Sequence, residues 1–241
     1  MNTMFFLTNR APISAMLLGG LLLTGCVTLN PDGMVASPSR EIPAGIKEAL
    51  IQGIDRGAAS ASAVDGFLKN DRIKIPLPPD ARRVERTLRQ MGLGSQVDKA
   101  VLTMNRAAEQ AAAEAKPIFA QAIRRMTIQD AVAIVNGDQH AATSYLRNAT
   151  NDELMERFLP IVDNALSKTD ATRIYGDLAR AFNAVPLTGR SIDPNLNRYV
   201  TGKALDGLFH LVAEEEARIR ADPLARTTAL MRRVFADQPS P

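Results

Sequence analysis

The stretch Pro194–Ala221, PNLNRYVTGKALDGLFHLVAEEEARIRA, decides the fold class. It holds Leu196, Val200, Leu205, Leu208, Phe209, Val212 and Ile219, apolar residues spread along a run with no strand-like alternation. Asp193-Pro194 before it and Asp222-Pro223 after it each pair a capping Asp with a proline suited to a first helical turn. One long helix is therefore predicted near 194–221, with a new start behind it.

The same grammar runs outward through the chain. Residues 43–59 carry Ile46, Leu50 and Ile54 at spacing four, with Pro43 in a first-turn role. Gly53 and Gly57 either weaken this helix or let another backbone come close. Residues 80–91 place Val84, Leu88 and Met91 on one face, ended by Gly92. Ser95 with Asp98 predicts a capping box for a helix through Val97, Val101, Met104, Ala108, Ala111 and Ala115, which Pro117 kinks or restarts. Thr127 with Asp130 predicts another start, closed at Asn136-Gly137. Asp138 is expected to cap a helix over Tyr145 and Leu146. Thr150 with Glu153 opens one carrying Leu154, Phe158, Val162 and Leu166, with a bend at Pro160. Asp170 precedes Ile174, Leu178 and Phe182.

No segment sustains period-two alternation. The nearest is Arg72-Ile73-Lys74-Ile75-Pro76-Leu77-Pro78-Pro79, expected as an edge strand or an extended Pro-containing strap over 72–79. The expectation is an all-α single domain of about nine to eleven helices over 41–236, with a disordered tail at 237–241. The 36 alanines suit close helix packing with few aromatics.

Composition excludes several classes. An apolar fraction of 46% excludes a disordered chain. One cysteine cannot make an internal disulfide, a Cys-based zinc site or an iron–sulfur cluster, and two histidines leave little for a His-rich metal centre. A net charge of +3 does not by itself imply nucleic acid. No phosphate loop, dinucleotide fingerprint, Gly-x-Ser-x-Gly elbow or His-Glu-x-x-His is present, and the PxxP match at Pro76–Pro79 is weak. No cofactor is expected.

The lone cysteine has an informative context. Arg10 supplies a positive start, and Ala15–Leu23 is an apolar run of about ten residues, short of the ~20 that span a bilayer. It ends in Leu23-Thr24-Gly25-Cys26, which resembles the lipobox of bacterial lipoproteins. Residues 1–25 are then a signal peptide, Cys26 the acylated N-terminus of a 216-residue chain of net charge +2, and 26–40 a flexible tether. Val27 is not the Asp of inner-membrane retention, which favours the outer membrane, on its periplasmic side.

The stretch from Gly45 to Phe235 also resembles a family of bacterial lipoproteins known as domain-of-unknown-function family 4197. The likeness rests on Ile75-Pro76-Leu77-Pro78, Met104-Asn105-Arg106-Ala107-Ala108-Glu109, Ala115-Lys116-Pro117-Ile118-Phe119, Asp130-Ala131, Ile134-Val135-Asn136-Gly137, Lys203-Ala204-Leu205-Asp206-Gly207-Leu208-Phe209 and Ala213-Glu214-Glu215-Glu216. It implies an envelope location and an all-helical domain, and supplies no ligand or catalytic residue. His210 stands where the resemblance leads us to expect an aromatic, which speaks against a catalytic role for it.

Three constellations could carry chemistry. Asp206, His210 and Glu214 form an i, i+4, i+8 stripe, able to bind a metal or relay a proton if it converges in a cleft, and otherwise a solvated face supported by Glu214–Arg218 and Glu216–Arg220 pairs. Asn105, Arg106 and Glu109 predict a buried polar lock between helices, satisfied by Lys116 or by an arginine of another helix, or a polar ligand contact. Arg82, Arg86 and Arg89, with Arg83, form a ridge that is either solvated or a contact for anionic lipid. No catalytic or metal-binding residue is assigned.

These observations predict a non-enzymatic, lipid-anchored binding module. Its partners would be the membrane, through the anchor, and an envelope protein or lipid, but no nucleic acid. The alternatives are a carrier of an apolar small molecule in a pocket within the bundle and a hydrolase.

Overall fold

A computed structural model describes residues 38–184 and 192–236. Among these residues there is no strand, and the helices are α1 Pro38–Ser62, α2 Arg82–Gln90, α3 Gly94–Ala112, α4 Ala115–Arg125, α5 Ile128–Val135, α6 Ala141–Ser167, α7 Asp170–Asn183, α8 Asn197–Ala221 and α9 Ala229–Val234. Eight of them have eight residues or more, and α9 has six, so the substantial helices are fewer than expected. The reason lies in α6. Thr150 and Glu153 do not open a helix: α6 runs 27 residues straight through them and through Pro160. Thr150 is buried, and its hydroxyl donates to the Leu146 carbonyl at 2.6 Å, so it back-bonds within the helix instead of capping it.

Other starts moved for similar reasons. Asp193 accepts from the Asn195 amide at 2.8 Å in a turn, and α8 begins four residues later. Ser95 and Asp98 form no capping box; Asp98 pairs with Arg89 at 2.9 Å instead. Met91, expected on the buried face of α2, is exposed. The Thr127–Asp130 capping box is present in full. Pro117 sits in the first turn of α4, after α3 has ended. The first helix starts at Pro38, three residues inside the stretch read as tether.

Helix α8 is the axis of the bundle. Leu196 just before it and Val200, Leu205, Leu208, Phe209, Val212 and Ile219 within it are all buried, and it packs on α1, α6 and α3. Such a helix is buried on more than one face because layers of the bundle surround it. Small residues set the spacing. A Cβ on Gly57 would lie 3.1 Å from the Val212 amide nitrogen, so α1 and α8 touch backbone to backbone there. Phe209 meets Phe119 edge to face at 5.6 Å, joining α8 to α4.

Between α1 and α2 the chain crosses the bundle without helix or strand at 74–78. Ile73, Ile75 and Leu77 are buried while Arg72, Lys74 and Pro76 are exposed. The Tyr199 hydroxyl donates to the Pro76 carbonyl at 3.0 Å. Phe67 fills the hollow left by Gly207, where a Cβ would come within 2.5 Å of its ring.

Candidate functional site

Asn105 and Glu109 lie one helical turn apart on the buried face of α3. Asn105 is fully buried and clasps the backbone of one residue. Its Oδ1 accepts from the Ile75 amide at 2.9 Å, and its Nδ2 donates to the Ile75 carbonyl at 2.9 Å and to the Val101 carbonyl. Glu109 accepts through Oε1 from the amides of Phe67 and Leu68 at 3.1 and 3.3 Å, and through Oε2 from Arg106 at 2.6 Å. Arg106 reaches on to Asp65 at 2.6 Å. Asp65 holds a left-handed backbone at φ 68°, unusual for a residue with a side chain, and its carboxylate also meets Lys69 at 2.8 Å. Hydrogen bonds from Lys69, then from Arg106, hold the Asp65 carboxyl below its ordinary range. Hydrogen bonds to Glu109, then to Asp65, raise the Arg106 guanidinium further.

This cluster is a polar lock, with two corrections to its expected partners. It fastens α3 to the backbone of the 65–75 connection rather than to another helix, because that connection carries the amides no helix can satisfy. Lys116 takes no part; it pairs with Asp55 of α1 at 3.1 Å in solvent.

The α8 stripe is solvated. Asp206 pairs with Arg147 at 3.3 Å and with Lys203 at 3.9 Å. His210 Nε2 lies 3.3 Å from Glu214, which also meets Arg72. Arg218 pairs with Glu215 rather than Glu214. Among the described residues no group of three or more His, Cys, Asp or Glu is placed to hold a metal ion.

The carboxylate that organises this end of the bundle is Glu216, which the spacing suggested only as half of a surface pair. It is buried and accepts from the amides of Ala142 and Thr143 at 2.9 and 2.8 Å and from the Thr143 hydroxyl at 2.7 Å. These are first-turn amides of α6, whose own N-cap residue, His140, gives no side-chain cap. Glu216 therefore caps α6 from α8, with its charge against the positive end of that helix. Arg220 completes the pair at 2.9 Å and also donates to the Ile134 carbonyl of α5. Arg226 is buried too and donates to the Ile219 and Arg220 carbonyls, closing the C-terminus of α8. Spacing signals the Glu216–Arg220 pair but not the cap on α6 or the closure by Arg226, because those partners lie on another element or beyond a turn.

Beside Glu216 is a cavity of about 20 Å³, lined by Leu50, Ile134, Val212, Ile219 and Phe235 among others. That volume holds roughly one water. Open grooves occur elsewhere, such as one of about 230 Å³ between α1 and α4. In the arginine ridge of α2, Arg89 is neutralised by Glu85 and Asp98. Arg82, Arg83 and Arg86 are exposed and make no ion pair with a described residue.

Cys26, the expected signal peptide and the expected tail at 237–241 lie outside the described residues. No described helix is long and apolar enough to cross a membrane.

Fold and lock together define an all-helical bundle whose buried charges serve its own backbone. The chain belongs to the family described as "Protein of unknown function (DUF4197)", which matches residues 37–236. No curated protein and no solved structure shows a match.

Proposed function

We propose that this protein is a lipoprotein, anchored through Cys26 on the periplasmic side of the outer membrane, whose helical domain is a non-enzymatic interaction module of the envelope. The observation that carries the anchor is Leu23-Thr24-Gly25-Cys26 at the end of a short apolar run, twelve positions before the first described helix. Several acyl chains on one cysteine hold durably, since two membrane signals suffice where one is marginal. The interaction role is supported by how the buried polar groups are used. Asn105, Glu109, Glu216 and Arg226 are each committed to backbone partners, and Asp206, His210 and Glu214 stand in solvent against neighbouring side chains rather than in a cleft.

Carriage of an apolar molecule has less support. The cavity at Glu216 within the bundle offers about 20 Å³, where ligand pockets usually need about 300 Å³ or more; a groove of about 390 Å³ at the surface is lined by the charged Glu114, Glu153, Glu156 and Arg157.

The test is the mass of the N-terminal peptide from membranes, with and without Cys26→Ala. A diacylglyceryl and fatty-acyl mass on Cys26, and loss of membrane attachment in the variant, are the expected outcome. An unmodified N-terminus upstream of Cys26 refutes the anchor. Crosslinking of the anchored protein in intact cells, followed by capture, tests the interaction role. Failure to recover a reproducible crosslinked partner refutes it.

A further inference from the structure

We infer that the surface turned toward the membrane is the end of the bundle where α1 starts, and that Arg124, Arg125 and Arg232 there contact the headgroups of an anionic phospholipid bilayer. This rests on the anchor proposed above. Twelve positions separate Cys26 from Pro38, a reach of at most about 40 Å, so the start of α1 is the part of the domain joined to the lipid by the shortest length of chain.

Two elements bring cations to that end. Helix α9 runs antiparallel to α1: Thr228 bonds Glu48 at 2.5 Å, and Arg233 meets Glu41 at 3.3 Å. Its last turn, with Arg232 and Arg233, thus lies against the first turns of α1. Helix α4 also runs antiparallel to α1. Lys116 meets Asp55, while Ile123 shares a groove with Ile51, one turn nearer the start of α1. Arg124 and Arg125 follow at its C-terminus, and the half-exposed Ile128 comes just after them.

The charges are not cancelled. Arg233 is neutralised by Glu41, while Asp130, which the Thr127 cap holds below the ordinary carboxylate range, and Glu48 keep their negative charge against the larger set of Lys47, Arg124, Arg125 and Arg232. Arg124, Arg125 and Arg232 are exposed and make no ion pair with a described residue, though Arg232 Nη1 donates to the Arg226 carbonyl at 3.1 Å. The α2 arginines are badly placed by comparison. Their helix packs on α7 and on the first turns of α3. Helix α1 meets the other end of α3, where Glu109 holds Phe67 just beyond the C-terminus of α1. The start of α1 points away from α2.

The test uses the acylated full chain in vesicles of phosphatidylcholine with and without phosphatidylglycerol. Arginine modification by phenylglyoxal is read residue by residue by mass spectrometry. Each basic group near an anionic surface gains about fivefold in residence there, so labelling of Arg124, Arg125 and Arg232 should fall by about that factor with phosphatidylglycerol, and recover in high salt. Arg82, Arg83 and Arg86 should label equally in both vesicles, and R82E/R83E/R86E should leave the protection unchanged. Protection on α2 instead, or none at all in an acylated chain, overturns the inference while leaving the anchor standing. Equal protection in both vesicles, or protection that survives salt, overturns it as well. A chain without acyl groups on Cys26 overturns the anchor, and this surface with it.

Discussion

Two faces of α8 carry the same local pattern and behave oppositely. His210 and Glu214 are four apart, as are Glu216 and Arg220. The first pair is exposed, and its contacts compete with water, so each contributes a few tenths of a kcal/mol at most. The second is buried, and its carboxylate accepts two amides and a hydroxyl at the start of α6 besides its arginine. In the buried pair the charge has left water and the protein must replace every hydrogen bond, so removing one partner is costly. Spacing says that two groups can meet. Burial decides what the meeting is worth.

The contrast is most open to breakage at Glu216. Glu216→Ala leaves Arg220 and the first-turn amides of α6 without their acceptor, and should destabilise the domain by about 3–5 kcal/mol in denaturant unfolding. The double change Glu216→Met with Arg220→Met should cost far less, because it removes both charges together. A double variant as unstable as the single one would show that the α6 cap, not the ion pair, dominates.

Glu109→Ala should come next, at about 2–3 kcal/mol, since it orphans the Phe67 amide while Arg106 stays partly in solvent and keeps Asp65. Hydrogen exchange should show 63–78 opening before the rest of the bundle. Gly207→Ala presses on the Phe67 ring from the other side and should cost about 1–3 kcal/mol, with the same segment loosened.

A pH scan separates the far end of the molecule. Tyr175 is buried, and desolvation pushes its hydroxyl up to about 12. The unfolded chain ionises first, near 10. The contribution is therefore full below about pH 10 and is lost as pH rises through about 12. Tyr175→Phe should flatten this alkaline limb of stability. An unchanged limb would assign it to other groups. The smallest effect belongs to the solvated stripe: His210→Ala should change stability by less than about 0.5 kcal/mol. A loss above 2 kcal/mol would mean that this face is covered in the cell.

Much of the helical layout is legible from local signals. The Thr127–Asp130 box, the restart near Pro117 and the apolar run of α8 depend on neighbours within one or two turns, and all are present. The misses share one cause. Thr150, Asp193 and Ser95 carry capping chemistry, but α6, the Asn195 turn and the Arg89–Asp98 pair offered those groups or their neighbours other partners. Asn105 and Glu109 stood out as polar groups on an otherwise apolar stretch, which is why the lock was foreseeable. Its partners were not, since they are backbone amides about 30 to 42 positions away.

The sequence by itself determined a helical chain, a cysteine in a stretch that resembles a lipobox and a set of polar residues too isolated to be ordinary surface, because periodicity, caps and short motifs act over a few residues. Only the tertiary structure decided which of those polar residues leave water. Desolvation depends on everything packed around a group, and it turned Glu216 into a structural centre while leaving Glu214, two positions earlier on the same helix, in solvent.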